Sequence, residues 1–326
     1  MIIAATLIWG SGYVAQSAGM YHVAPFTFNA VRFAIGGTIA LGPALFFLYR
    51  QRSVSCEAIT IEDKRPVMIN KSTIVAGVIC GCVLCLAINL QQFGILFTSV
   101  ANASFITSLY VIMVPIASFI IFRKRAGVFV WGSVAVAVVG MYFLSLSGGF
   151  YVNLGDILVF LCAIVFTAQI LIISYFSPKH NVIALACVQF FVVSFVSVVL
   201  AFIFETPSLT AVFAAAPYVL YTGVLSSGVA YILQMKAQKT TDATIAAVLF
   251  SFEGVVAAFV GWLVLSQHLT SRELMGCALI FVAIMVAQVP GRTSAQPASK
   301  APTRQSSKPT QKPAPPPPKQ AGNPNV

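Results

Sequence analysis

The chain has 326 residues, of which 59% are hydrophobic and only 8% charged, with a formal net charge of +11. Soluble domains carry about 25% charged residues, so this composition, with a mean hydropathy of +0.92, excludes a soluble globular domain and indicates a membrane protein.

At 1.5 Å per residue, about 20 apolar residues cross a hydrocarbon core of about 30 Å. Stretches of that kind predict ten transmembrane helices, near residues 2–18, 25–49, 73–96, 101–122, 128–146, 155–175, 183–204, 217–235, 244–265 and 274–289. The first begins at Met1 without a charged flank, so it reads as a retained span and not as a cleaved signal peptide. Arg50, Arg52, Lys64, Arg65 and Lys71, then Arg123, Lys124, Arg125, Lys179, Lys236, Lys239 and all the bases of the tail, fall in alternate loops. Arg272, in an opposite loop, and Arg32, inside the second span, are the exceptions. Lys and Arg gather in short cytoplasmic loops, so both termini are expected in the cytoplasm. The positive charge reports topology, and no nucleic-acid partner is expected.

Of seven cysteines, Cys56 falls in a loop and the others inside spans, which suggests no disulfide framework. In "CGCVLC", Cys80 and Cys82 point to nearly opposite helix faces, so packing is expected there rather than a metal. No cofactor is implied.

Spans four and nine share a pattern. "ANASFITSLYVIMVPIASFIIF" and "TDATIAAVLFSFEGVVAAFVGW" each start with small and polar residues, are interrupted near the middle (Pro115, Gly254) and end apolar. Each is followed by a Gly-containing span. A five-span unit repeated once must run upside down in its second copy, the plan of many secondary transporters. The expected organisation is an all-α integral membrane protein of ten helices in two inverted five-helix repeats, residues 1–146 and 147–290. Residues 291–326, ending "KPAPPPPKQAGNPNV", form a Pro- and Lys-rich cytoplasmic tail too polar to bury, expected to be disordered.

Within the spans, Trp9, Tyr13 and Gln16 follow i, i+4, i+7 spacing and share one helix face. Asn29 with Arg32, Asn89 with Gln92 and Tyr231 with Gln234 pair at i, i+3. Thr107, Tyr110, Gln169, Gln189 and Ser251 are further polar groups at mid-span. Single groups of this type commonly serve as hydrogen-bond links between helices, but their number points to a cavity. A charge at a span centre costs roughly 2.5–3.5 kcal/mol on insertion scales, so it persists where it pairs or works. Arg32 lies about 10 Å and Glu253 about 14 Å from the ends of their spans, at depths close enough for two long side chains to meet. They are expected to face a common cavity, either paired directly or holding the two ends of a charged or zwitterionic substrate. An acid at that depth also leaves proton coupling open, although His22, His180 and His268 all fall at loops or span ends. Asp156, at the edge of span six, reads as a helix-start residue.

Several stretches together resemble the paired EamA domains of the drug/metabolite transporter superfamily. They are "WGSGYVAQSAG…PFTFNAVRF", "ASFITSLYVIMVP", "LGDILVFLCAIVFTAQI" and "LFSFEGVVAAFVGWLVLSQHLTSRELMGCALIFVAI". The resemblance implies ten helices in two inverted halves and a central cavity worked by alternating access. It implies small-molecule substrates such as amino acids, other metabolites or drugs, often moved outward. The family's Trp-Gly-Ser stretch maps to Trp9, Gly10 and Ser11, its span-two Arg to Arg32, and its Leu-Glu-Pro element to Phe252, Glu253 and Gly254. Gly254 stands where Pro is usual, and Gln267 and His268 replace a charged pair.

The expectation is therefore a multi-pass secondary carrier of the inner or plasma membrane. It moves a small metabolite without ATP, since no Gly-x-x-x-x-Gly-Lys run occurs, and export is expected over uptake or exchange. Trp9, Tyr13, Asn89, Tyr110 and Tyr231 are the expected cavity wall, Arg32 and Glu253 its charges, and Pro115 and Gly254 its hinges. A homodimer is allowed. The rival readings are a scaffold acting through the Pro-rich tail and an intramembrane enzyme, for which the spans offer a single deep acid and no His.

Overall fold

The computed structural model describes residues 1–53, 71–123, 127–145, 153–265 and 271–287. Gln267, His268, the tail from residue 291 and the loop bases Lys64, Arg65, Lys124 and Arg125 lie outside these residues. The helices are α1 (Ile2–Gly19), α2 (Pro25–Ser53), α3 (Lys71–Phe97), α4 (Val100–Thr107), α5 (Tyr110–Phe122), α6 (Val128–Ser145) and α7 (Leu154–Phe176). They continue with α8 (Val182–Phe204), α9 (Leu209–Ala214), α10 (Ala216–Tyr221), α11 (Tyr231–Gln238), α12 (Ala243–Phe250), α13 (Phe252–Leu265) and α14 (Ser271–Ala287). A nine-residue π-helical stretch, Thr222–Ala230, joins α10 to α11. Among the described residues there is no strand.

Seven helical segments are long and apolar enough to cross a membrane, and α6 and α14 contain shorter apolar helices. With α1, diluted by Gly, Ser and Gln, they account for the ten predicted spans. Three spans are composite: α4 with α5 is the fourth, α10 through α11 the eighth, and α12 with α13 the ninth. The short helix α9 was not predicted.

Span starts are fixed by polar caps. Asn153 and Asp156 form a capping box on α7: the Asp156 N–H donates to Asn153 Oδ1 at 2.8 Å and the Asn153 N–H to Asp156 Oδ2 at 3.1 Å. Thr98, just past α3, donates its hydroxyl to Asp156 Oδ1 at 2.6 Å. At the start of α2, the carboxylate of Glu205, just past α8, accepts the Phe26 and Thr27 N–H groups at 2.7 and 2.9 Å and the Thr27 hydroxyl at 2.6 Å. These contacts bring the ends of α3 and α8 to the starts of α7 and α2. At the other face Gln238 Nε2 donates to Ile170 O and Ser174 Oγ, both at 3.2 Å, and Thr73 Oγ1 lies 3.1 Å from His180 Nδ1. We call the face holding Ile2, Gln238 and Ala243 the N face.

Tight packing follows from small residues where helices cross, as lipid tails supply no hydrophobic drive between helices. A Cβ on Gly10 of α1 would stand 2.5 Å from Val256 Cβ and 2.7 Å from Glu253 O. Only glycine lets α1 lie this close to the start of α13. One apolar cluster, with Ile2, Leu171, Ala237 and Ala247, closes the N-face half of the bundle. Another, with Val14, Ile95, Val100, Val159 and Ala257, closes the opposite half. Cys80 is buried and Cys82 exposed, the opposite faces their spacing predicts.

Candidate functional site

Between those two clusters lies a cavity of about 500 Å³, counting its opening. The face of α1 bearing Trp9, Tyr13 and Gln16 forms one wall, and Arg32 of α2, Tyr110 of α5 and Glu253 of α13 reach in from other sides. Tyr231 and Gln234 enter from α11, one helical turn apart. Six of the seven residues expected to bind substrate therefore line one space.

The seventh, Asn89, does not. It is buried, accepts the Asn29 Nδ2 donor at 2.9 Å, and donates its own amide to Cys85 O at 2.8 Å. Asn89 joins α2 to α3, the linking role that a single amide in a span often takes. The i, i+3 pairing of Asn29 with Arg32 did not keep them together: Asn29 turns to α3 and Arg32 to the cavity.

Sequence reasoning missed Gln91, Phe166, Ile170, Ser226 and Phe250, all of which line the cavity. Gln91 stands next to the predicted Gln92, about 100° around the helix, and only packing decides between them. Gln92 instead turns to Met20 Sδ at 2.7 Å. The apolar three had no signal separating them from ordinary span residues.

The polar groups are held in order. Tyr110 donates its hydroxyl to Glu253 Oε1 at 2.9 Å. Gln91 Nε2 donates to Tyr13 Oη at 2.9 Å and to Thr107 Oγ1 at 3.4 Å. Trp9 packs against Tyr231 and Phe250 with ring centroids 5.0 and 5.5 Å apart, and its indole N–H donates to Ser226 O at 3.4 Å. Aromatic area and fixed polar groups together are the usual makings of a small-molecule pocket.

Both charges are almost fully buried, Arg32 at 3% and Glu253 at 5% exposure. Yet no carboxylate among the described residues lies within 4.0 Å of the Arg32 guanidinium, and Arg32 Nε has no hydrogen-bond partner. Its company is aromatic: Cζ stands 5.6 Å from the Phe28 ring centre and 5.1 Å from that of Phe33, in range for cation–π attraction. Gln16 and Gln234 each present a buried side-chain carbonyl without a donor. The cavity thus holds a buried base and a buried acid apart, with the Gln16 and Gln234 carbonyls on its wall. No cluster of His, Cys, Asp or Glu able to hold a metal occurs among the described residues.

Pro115 lies inside α5 and Gly254 inside α13. The breaks fall earlier, at Ser108 and Leu109 in span four and at Ser251 in span nine.

A helical membrane bundle around a cavity lined by polar and aromatic side chains is the build of a membrane transporter. The EamA-like transporter family matches residues 1–146 and 153–288, and the chain belongs to that family, in keeping with the drug/metabolite transporter superfamily. An uncharacterized transporter of Archaeoglobus fulgidus is 32% identical over 280 residues, covering 86% of this chain and 82% of that protein. The uncharacterized transporter YoaV of Bacillus subtilis is 25% identical over 292 residues, covering 87% and 94%. A crystal structure of a protein 19% identical in sequence superposes with a TM-score of 0.67 over 88% of this chain and 97% of that one, a likeness of fold.

Proposed function

We propose that the chain is a secondary carrier that exports a small zwitterionic or charged metabolite across the cell membrane, with both termini in the cytoplasm. One observation supports this above the rest: Arg32 and Glu253, a base and an acid both buried, line the same cavity without pairing. Leaving both charges unpaired in a protein interior is costly, and a ligand carrying the complementary pair relieves it. In this reading Arg32 takes the anionic end of the substrate and Glu253, held by Tyr110, the cationic end. Trp9, Tyr231 and Phe250 cover the apolar body between them.

Alternating access would come from two inverted five-helix halves rocking about the cavity, with the broken spans four and nine as the bending elements and Pro115 and Gly254 softening them. Glu253 is also the group through which proton coupling would run. In this reading the N face, with the bases of its short loops, is the cytoplasmic one.

The test is an untargeted comparison of metabolites in the medium and interior of cells expressing the wild-type chain, the Glu253→Gln chain or neither. Export predicts a compound that rises in the medium only with wild type. A compound that instead rises inside reverses the direction, and no difference in either compartment overturns the reading.

A further inference from the structure

We propose that the π-helical stretch Thr222–Ala230 is a register switch, which by converting to α-helix exchanges the side chains that span eight offers to the cavity. The proposal rests on that cavity being the transport site. Four observations support it.

The stretch sits in the middle of the span, with Ser226 on the cavity and Tyr231 and Gln234 just beyond it. An i→i+5 helix holds an excess residue relative to the α-helix, and such segments are rare and concentrate at functional sites. Winding the same residues as α-helix turns the part that follows by about one residue, roughly 100°. Ala230 and Leu233 would then take the directions now held by Tyr231 and Gln234, replacing a hydroxyl and an amide in the wall by apolar groups.

The present register leaves a polar group unmet. Ser227 is fully buried and its hydroxyl has no partner. Helical hydroxyls elsewhere in the bundle do better: Thr167 donates to Ala163 O at 2.9 Å and Thr222, at the start of the stretch, to Tyr218 O at 2.8 Å. Each uses the carbonyl four residues earlier. For Ser227 that carbonyl belongs to Gly223, which α geometry would bring into reach.

Glycines bring the stretch close to α2. A Cβ on Gly36 of α2 would lie 2.8 Å from Ser227 Cβ, and one on Gly223 would lie 3.1 Å from Arg32 O. Ile35 and Ile39 of α2 rest on Gly223 and Gly228, where the stretch offers them no side chain to interlock with, and the contact lies beside Arg32. Finally, Trp9 is tied to this stretch through Ser226 O, so the switch would also move the aromatic wall.

The experiment is thiol labelling by a membrane-impermeant charged reagent on full-length chains whose seven native cysteines are replaced by Ala. Three single-site variants are compared: Gln234→Cys, Leu233→Cys and Gln16→Cys, the last on α1 as a report on the cavity itself. Exchange predicts that Leu233→Cys is labelled within tenfold of the Gln234→Cys rate. Deleting Val224, which faces outward, removes the excess residue without turning the part that follows, so it should lock the present register and move the ratio at least tenfold toward Gln234→Cys. Should that deletion fail to fold, the full-length comparison still decides. Labelling of Gln16→Cys and Gln234→Cys with Leu233→Cys more than tenfold slower overturns the switch and leaves the cavity standing. No labelling of Gln16→Cys or Gln234→Cys overturns both.

Discussion

Spans four and nine both break within their length in nearly the same way, yet only the first contains a proline. In the first, Ser108 donates its hydroxyl to Ser104 O at 2.8 Å and the Leu109 N–H turns to Ile106 O at 3.2 Å. In the second, Ser251 donates to Val248 O at 2.7 Å and the Gly254 N–H turns to Ser251 O at 3.2 Å. A serine bonded back to the preceding turn, followed by a tightened i→i−3 step, is the common device. Pro115 lies a full turn and more beyond its break, inside α5. Its missing N–H weakens the turn before it without locating the break. The difference teaches that proline accompanies the interruption in one span but does not define it in either. Broken backbone survives in a membrane only where protein or a cavity meets its polar groups. Here the two broken ends meet each other, Tyr110 of one donating to Glu253 of the other.

The halves of that contact are not equal, and replacing Glu253 exposes this most strongly. Gln at 253 keeps the size and still accepts the Tyr110 hydroxyl, so the fold should hold while flux falls about 100-fold, the scale of a lost charge-assisted contact. Flux within twofold of wild type in vesicles would break the claim that the ninth span carries the chemistry. Next in size is Arg32→Met, which keeps the stem against Phe28 and Phe33 and removes the charge. Substrate affinity should drop about tenfold or more. Thermal unfolding in detergent should meanwhile stay level or rise, since replacing an unpaired buried charge with an apolar group of similar size is often neutral or stabilising. A clear fall in the unfolding temperature would make the guanidinium a structural group.

A smaller effect separates the serines from the proline. Ser108→Ala and Ser251→Ala each remove one buried hydrogen bond, expected to cost about 0.5–1.5 kcal/mol in denaturation with matched detergent controls. Pro115→Ala should cost less than either. A larger loss at Pro115 than at both serines would return the breaking role to proline.

Much of this was legible in the sequence because the membrane makes polarity expensive. Where a Trp, Tyr and Gln recur at i, i+4 and i+7 in an apolar run, lipid cannot be what they face, and α1 turns all three to the cavity. Deep charges carry the same logic, so Arg32 and Glu253 could be placed from depth alone. The π-helical stretch could not, as "TGVLSSGVA" reads as an ordinary small-residue helix and only the packing of glycines on α2 reveals the register. Nor could Phe250 or Phe166, because an apolar residue in a span has no signal that distinguishes a cavity wall from a lipid face. Asn89 shows the opposite failure: spacing marks it as polar and sheltered but not which neighbour shelters it.

That failure supplies the mildest test. If the cavity and the helix-linking amides are separate, Asn89→Ala should leave transport within twofold of wild type, because no atom of Asn89 reaches the lining. Its cost should appear in stability alone. The Asn29 amide loses its acceptor and Cys85 O a donor, and single interhelical bonds of this type average about 0.6 kcal/mol, with a maximum near 1.7. Unfolding in matched detergent should therefore shift by about that much, and Asn29→Ala should shift it similarly while the double variant adds little, as both remove one link. A selective loss of transport in Asn89→Ala with stability intact would mean that α2 and α3 move apart during the cycle and that this amide pair is made and broken with it.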